Sequence, residues 1–190
     1  MVDGAFHELL KVICAELDAH GLCYALTGSV VSSVYGEPIT SQDVDVCLRM
    51  TTVQAKALSG SLPPRFYRSE EALTGCAKGA GMANLVDIDT GIKVDLSVLS
   101  KEPYFDSVLA RRRQVAYGLD GPPFWTVSPE DIVLMKLLWR RESESRKQWD
   151  NALSVVRVQG RRLDWQYLHK WAGALGLATD LTALGEAAGI

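Results

Sequence analysis

Hydrophobic residues recur along this chain with two different periods. Between Met1 and His20, Phe6, Leu9, Leu10, Ile13 and Leu17 return every three or four positions, with Glu8, Lys11, Glu16 and Asp18 between them. This spacing predicts an amphipathic packing helix that ends at Gly21, not a signal peptide. Tyr24–Thr27 predicts a short strand, Gly28-Ser29 a turn, and Val30–Tyr35 a brief helix. In Val44-Asp45-Val46-Cys47-Leu48 the period changes to two, so Val44, Val46 and Leu48 share one face of a strand. Asp43 and Asp45 then project from the other face. Met82–Ile88 and Ile92–Leu99 predict a hairpin closed by Asp89-Thr90-Gly91. The expected register sets Ile88 opposite Ile92, Asp87 opposite Lys93 and Val86 opposite Val94. It makes Asp87 and Lys93 a structural pair and leaves Asp95, on the face away from Val94 and Leu96, without a partner.

The remaining signals complete an α/β reading. Thr52–Leu58 predicts a helix, Pro63-Pro64 an interruption, Phe66–Arg68 a short extended stretch and Lys78–Gly81 a glycine-rich connection. No strand precedes those glycines, which argues against a dinucleotide fingerprint. A helix from Pro103 through Arg112 is followed by strands at Gln114–Tyr117 and Phe124–Val127, around Gly118–Pro123. Ser128-Pro129-Glu130-Asp131 is a helix start, with Ser128 as the N-cap and Pro129 at the first helical position. Ser145 predicts another capped start, and Leu163–Leu175 and Thr179–Ala188 predict terminal helices. The expected architecture is a small mixed β-sheet core flanked by helices over residues 1–127, with a C-terminal helical region over 128–190 packed on it.

Composition narrows the classes. With 190 residues and 47% hydrophobic content, the chain can bury a core and is not largely disordered. No apolar run is long enough to span a bilayer, so no membrane partner is expected. Cys14, Cys23, Cys47 and Cys76 lack metal-site spacing, which suggests free thiols in a reducing, cytoplasmic setting. The net charge of −3 is unevenly spread, acidic before Ser100 and basic from Lys101 to Arg162. That basic excess suits phosphate or a solvated helical surface equally, and is too small for strong duplex-DNA binding.

Candidate chemistry begins with the paired acids. Two carboxylates at i and i+2 repel, and a divalent cation removes that penalty. Taken alone, Asp43 and Asp45 are equally acids at a strand edge. Gly28-Ser29, between a strand and a helix, offers close backbone approach, amide donors and a hydroxyl to a phosphate. An ordinary capped turn would use the same residues. Lys136 interrupts the apolar Ile132–Trp139 run, and Arg140 follows one turn later on its face. Together they suit a triphosphate, or a snorkelling surface lysine and its neighbour. Arg111-Arg112-Arg113 is a solvated helix end or a nucleic-acid contact. Asp150 can pair with a nearby basic residue, and its role is left open. His7, His20 and His169 lack metal-ligand spacing.

In Gly28-Ser29, Asp43-Val44-Asp45 and the later Asp95, the chain resembles the DNA polymerase beta superfamily of nucleotidyltransferases. It is more closely similar to small bacterial nucleotidyltransferase-like proteins, including toxins of toxin–antitoxin pairs. Tyr35-Gly36-Glu37-Pro38 and Ser128–Asp131 leading into Lys136-Leu137 extend the likeness from Tyr24 to beyond Asp150. Ile39 departs from it, since similar proteins often carry a basic residue there. The resemblance implies an Mg²⁺- or Mn²⁺-dependent transfer of NMP from an NTP to a hydroxyl acceptor. Asp43, Asp45 and Asp95 would bind metal and catalyse, converging in space, while Gly28, Ser29, Lys136 and Arg140 would bind the nucleotide. It implies tRNA or protein as acceptor, and a cognate antitoxin. A small-molecule transferase of the antibiotic-modifying type, or a non-catalytic nucleotide- or partner-binding module, stands as the alternative.

Overall fold

The computed structural model describes residues 4–79, 81–116 and 123–190. The strand end expected at Tyr117 and the turn through Pro122 lie outside the described residues, as do Met1–Asp3 and Ala80. The described chain divides into two compact units. The first comprises residues up to Thr27 together with Ser41–Thr126, and the second Gly28–Thr40 together with Val127–Ile190.

Among the described residues, a mixed seven-stranded sheet organises the first unit. Its strands are β1 (Cys23–Thr27), β2 (Asp43–Arg49), β3 (Phe66–Tyr67), β4 (Gly81–Asp87), β5 (Lys93–Val98), β6 (Arg113–Ala116) and β7 (Pro123–Thr126), in the order β3-β4-β5-β2-β1-β7-β6. β2 runs parallel to β5 and β1 parallel to β7, and the other neighbours are antiparallel. Val44, Val46 and Leu48 of β2 and Val94, Leu96 and Val98 of β5 are buried, as period-two alternation requires. Helices α1 (Gly4–Ala19) and α5 (Pro103–Ala110) contact β1, and α1 also contacts α3 (Thr52–Ser61). α4 (Glu70–Gly79) packs against α3, β4 and β5. The apolar stripe of α1 is buried as predicted, at Phe6, Leu9, Leu10, Ile13 and Leu17.

The hairpin register differs from expectation by one residue. Val86 pairs with Lys93, Leu85 with Val94 and Ala83 with Leu96, and the amide of Asp87 donates to the carbonyl of Ile92. The expected register would have set Asn84 against Leu96 on the buried face. The observed one puts Leu85 and Ala83 there and turns Asn84 outward. Ile88 is 63% exposed instead of meeting Ile92. Asp87 does not face Lys93; its buried carboxylate lies 3.7 Å from Arg65.

In the second unit, α2 (Gly28–Tyr35) packs with α6 (Pro129–Ser143) and α7 (Arg146–Gln159), while α8 (Trp165–Leu175) and α9 (Ala178–Ala188) pack on α6 and α7 respectively and on each other. The helical unit therefore includes residues 28–40, which the sequence placed with the sheet. Ser128 caps α6, accepting from the Asp131 amide at 3.1 Å and donating to its carboxylate at 2.6 Å, with Pro129 in the first turn. Ser145 precedes α7 but makes no side-chain cap, so the expected capping box is absent.

Candidate active site

The carboxylates are placed by the register of two parallel strands. Asp45 lies directly beside Asp95, and Asp43 beside Lys93. Antiparallel pairing on either side adds Thr27 next to Asp45 and Asn84 next to Asp95. Thr27, Asp45, Asp95 and Asn84 thus form one row across four strands, on the face opposite the Val/Leu core. Asp43 and Lys93 stand one pleat further along. β1 ends at Thr27, and Gly28 follows it directly in the chain.

Asp95 is not without a partner, contrary to the sequence reading. Lys93 Nζ lies 3.4 Å from Asp95 Oδ1 and 3.5 Å from Oδ2. Lys93 and Asp95 share a face because they stand two residues apart on β5, while the Asp87 carboxylate is buried and lies near Arg65. Asn84 and Thr27 were missed because they join the row only through strand pairing, whereas the i, i+2 spacing of Lys93 and Asp95 was a signal in the sequence itself.

The expected three-carboxylate grip is not assembled. Among the described residues, no group of three or more His, Cys, Asp or Glu side chains is gathered to hold a metal ion. The geometry explains this, because Asp43 sits two residues from Asp45, about 6.6 Å along an extended strand, and is exposed. The Asp45–Asp95 pair nonetheless fits a hard divalent cation. Adjacent strands lie about 4.8 Å apart, and both residues offer oxygen ligands. Asp95 Oδ1 is also buried without a hydrogen-bond partner among the described residues.

The other candidates belong to the second unit. Gly28 opens α2 with φ +70°, a conformation that favours glycine, and Ser29 is buried in its first turn. The carbonyls of Gly28 and Ser29 accept from the hydroxyls of Ser32 and Ser33, at 3.0 and 3.1 Å. Lys136 is only 2% exposed, with its ammonium 5.1 Å from the Trp139 ring centre. Arg140 pairs with Asp180 at 2.8 Å and stacks over Trp149 at 4.6 Å. Its guanidinium is committed to helix packing, which differs from the nucleotide contact expected of it. Asp150, whose role the sequence left open, lies 3.7 Å from Arg146. A cavity of about 500 Å³, lined by Cys23, Arg49, Val98 and Lys101 among others, lies at the opposite ends of β1, β2 and β5 and includes none of the candidate residues.

No protein-family model matches the chain, and no curated protein matches its sequence. Solved structures do match. An antigenic nucleotidyltransferase-like protein from Paracoccidioides brasiliensis superposes with a TM-score of 0.54 at 17% identity, covering 95% of this chain and 92% of that one. The fold is that of nucleotidyltransferase-like proteins. The antibiotic-resistance factor ANT(2'')-Ia superposes with a TM-score of 0.53 at 13% identity, over 96% of this chain and 98% of that one. A putative nucleotidyltransferase from Thermotoga maritima gives a TM-score of 0.49 at 19% identity, over 80% and 96% of the two chains. The first two superpositions cover residues of both units of the chain.

Proposed function

We propose that the chain is a metal-dependent nucleotidyltransferase that moves NMP from an NTP to a hydroxyl acceptor. The observation that carries the reading is the β2–β5 register, which aligns Asp45 with Asp95 and keeps Asp43 on the same face. Asp45 and Asp95 would hold Mg²⁺ or Mn²⁺, with water and phosphate oxygens completing the coordination, and Asp43 would add its charge from one pleat further along. Bound there, the ion would lower the pKa of the acceptor hydroxyl and neutralise charge on the phosphates. Gly28 and the Ser29 hydroxyl are assigned to the β and γ phosphates, and the buried Lys136 to the charge of departing pyrophosphate. Attack at the α-phosphorus forms the new P–O bond as the bond to pyrophosphate breaks. Orientation by these groups supplies most of the acceleration.

The acceptor we favour is tRNA or a protein, as for a toxin with a cognate antitoxin, in keeping with the resemblance and the basic Lys101–Arg162 segment. The second reading, a small hydroxyl compound, is supported by the likeness to an antibiotic-resistance factor over 96% of the chain. Incubation of the protein with labelled NTPs, Mg²⁺ or Mn²⁺ and cell extract tests both. Labelled tRNA or protein, together with growth arrest by wild type but not by Asp45→Ala, is the expected result. Label on small hydroxyl compounds alone selects the second reading. Asp45→Asn and Asp95→Asn should retain the fold and lose transfer by at least about a hundredfold. An undiminished rate in either variant removes the mechanism.

A further inference from the structure

The pairing of β2 with β5 makes a square of side chains on one face: Asp43 beside Lys93, and Asp45 beside Asp95. Three corners are anionic and the fourth is an ammonium. Its contacts with Asp95, at 3.4 and 3.5 Å, are long beside the roughly 2.7–2.9 Å of a charge-assisted hydrogen bond. The charge therefore lies over the carboxylate without bonding closely to either oxygen, and Oδ1 keeps an unmet hydrogen-bonding need. The Lys93 side chain is 42% exposed, and that of Asp95 14%. A lysine ammonium is strongly hydrated and sits on a rotatable stem, so it can leave such a partner for water at little cost.

We infer that Lys93 is the internal counter-cation of this square, occupying Asp95 in the metal-free protein and yielding it to an incoming divalent cation. The inference rests on the reading that Asp45 and Asp95 hold that cation. Metal then binds against a built-in competitor, and its affinity is set partly by where the displaced ammonium goes. The phosphates of a nucleotide offer that ammonium a new anionic partner. Lys93 thus favours loading of metal together with nucleotide over loading of metal alone. It is a positioning residue, acting through Asp95.

Mn²⁺ binding by the full chain without nucleotide, followed by the electron paramagnetic resonance of the unbound ion, tests this directly. Lys93→Met should bind Mn²⁺ about tenfold more tightly than wild type, because a positive charge beside the site is removed. Lys93→Arg should stay as weak as wild type, and Asp95→Asn should lose binding. Circular dichroism of each variant checks that the fold persists. Unchanged affinity in Lys93→Met, with binding still lost in Asp95→Asn, overturns the role of Lys93 and leaves the metal site standing. Equal tightening in Lys93→Arg overturns it as well. Absence of Mn²⁺ binding from wild type and Lys93→Met alike overturns the metal site and, with it, this inference.

Discussion

Cys14 sits on the buried stripe of α1, and burial pushes its thiol up from an ordinary value of about 9 to about 11. The neighbouring Tyr24 is raised as well, chiefly by its own burial, and its hydroxyl donates to the Cys14 carbonyl at 3.5 Å. A raised pKa means that the folded chain holds its proton more tightly than the unfolded one. The associated stability is fully present below about pH 9 and is lost as pH rises toward about 11. Urea midpoints at pH 8, 9.5 and 10.5 should therefore fall progressively, and fall less steeply in Cys14→Ala. An equal slope in both proteins would refute the assignment. At this scale the sequence was informative about direction: alternation put Asp43, Asp45 and Asp95 on the polar face without any structure. It was less informative about partnership. The i, i+2 spacing set Lys93 on the face of Asp95, but the expected pairing with Asp87 hid that contact until the hairpin register was known.

Element by element, local chemistry was readable wherever it was self-contained. The stripe of α1 and the Ser128-Pro129 start of α6 involve neighbours in the chain, and both are observed. α4 escaped notice because Leu73 is its one buried residue and Gly75 interrupts its pattern. The hairpin was read correctly but its register escaped, for the opposite reason: apolar Ile88 suggested a partner in Ile92, while keeping Asn84 out of the core decided the register. Tyr35-Gly36-Glu37-Pro38, prominent in the resemblance, proves to be a packing device. The Glu37 amide donates to Ser154 Oγ at 2.6 Å, and Gln159 donates to the Tyr35 carbonyl at 2.6 Å. A Cβ on Gly36 would lie 2.5 Å from Ser154 Oγ, 2.9 Å from the Ser32 carbonyl and 3.0 Å from the Val155 amide. Because two of those contacts are backbone, no rotamer change relieves them. Gly36→Ala should cost about 1–3 kcal/mol in urea unfolding. A loss too small to measure would show that α2 and α7 can separate without penalty.

For the whole molecule, the division into units does not follow chain order. α2 buries Val30, Val31 and Tyr35, and it packs with α6 and α7, which come from the other end of the sequence. A fragment of residues 1–127 keeps every described strand but deprives α2 of those helices. It should bind a hydrophobic dye such as ANS and show less helix than its share of the full chain's circular dichroism. A fragment with native-like helix and no dye binding would mean that α2 is stable without its partners. The same topology imposes an order on biosynthesis. Residues 28–40 emerge from the ribosome long before α6 and α7 have been translated, so their apolar side must wait uncovered through most of elongation. During that delay the nascent chain is at its most aggregation-prone, and chaperone capture would be most consequential there.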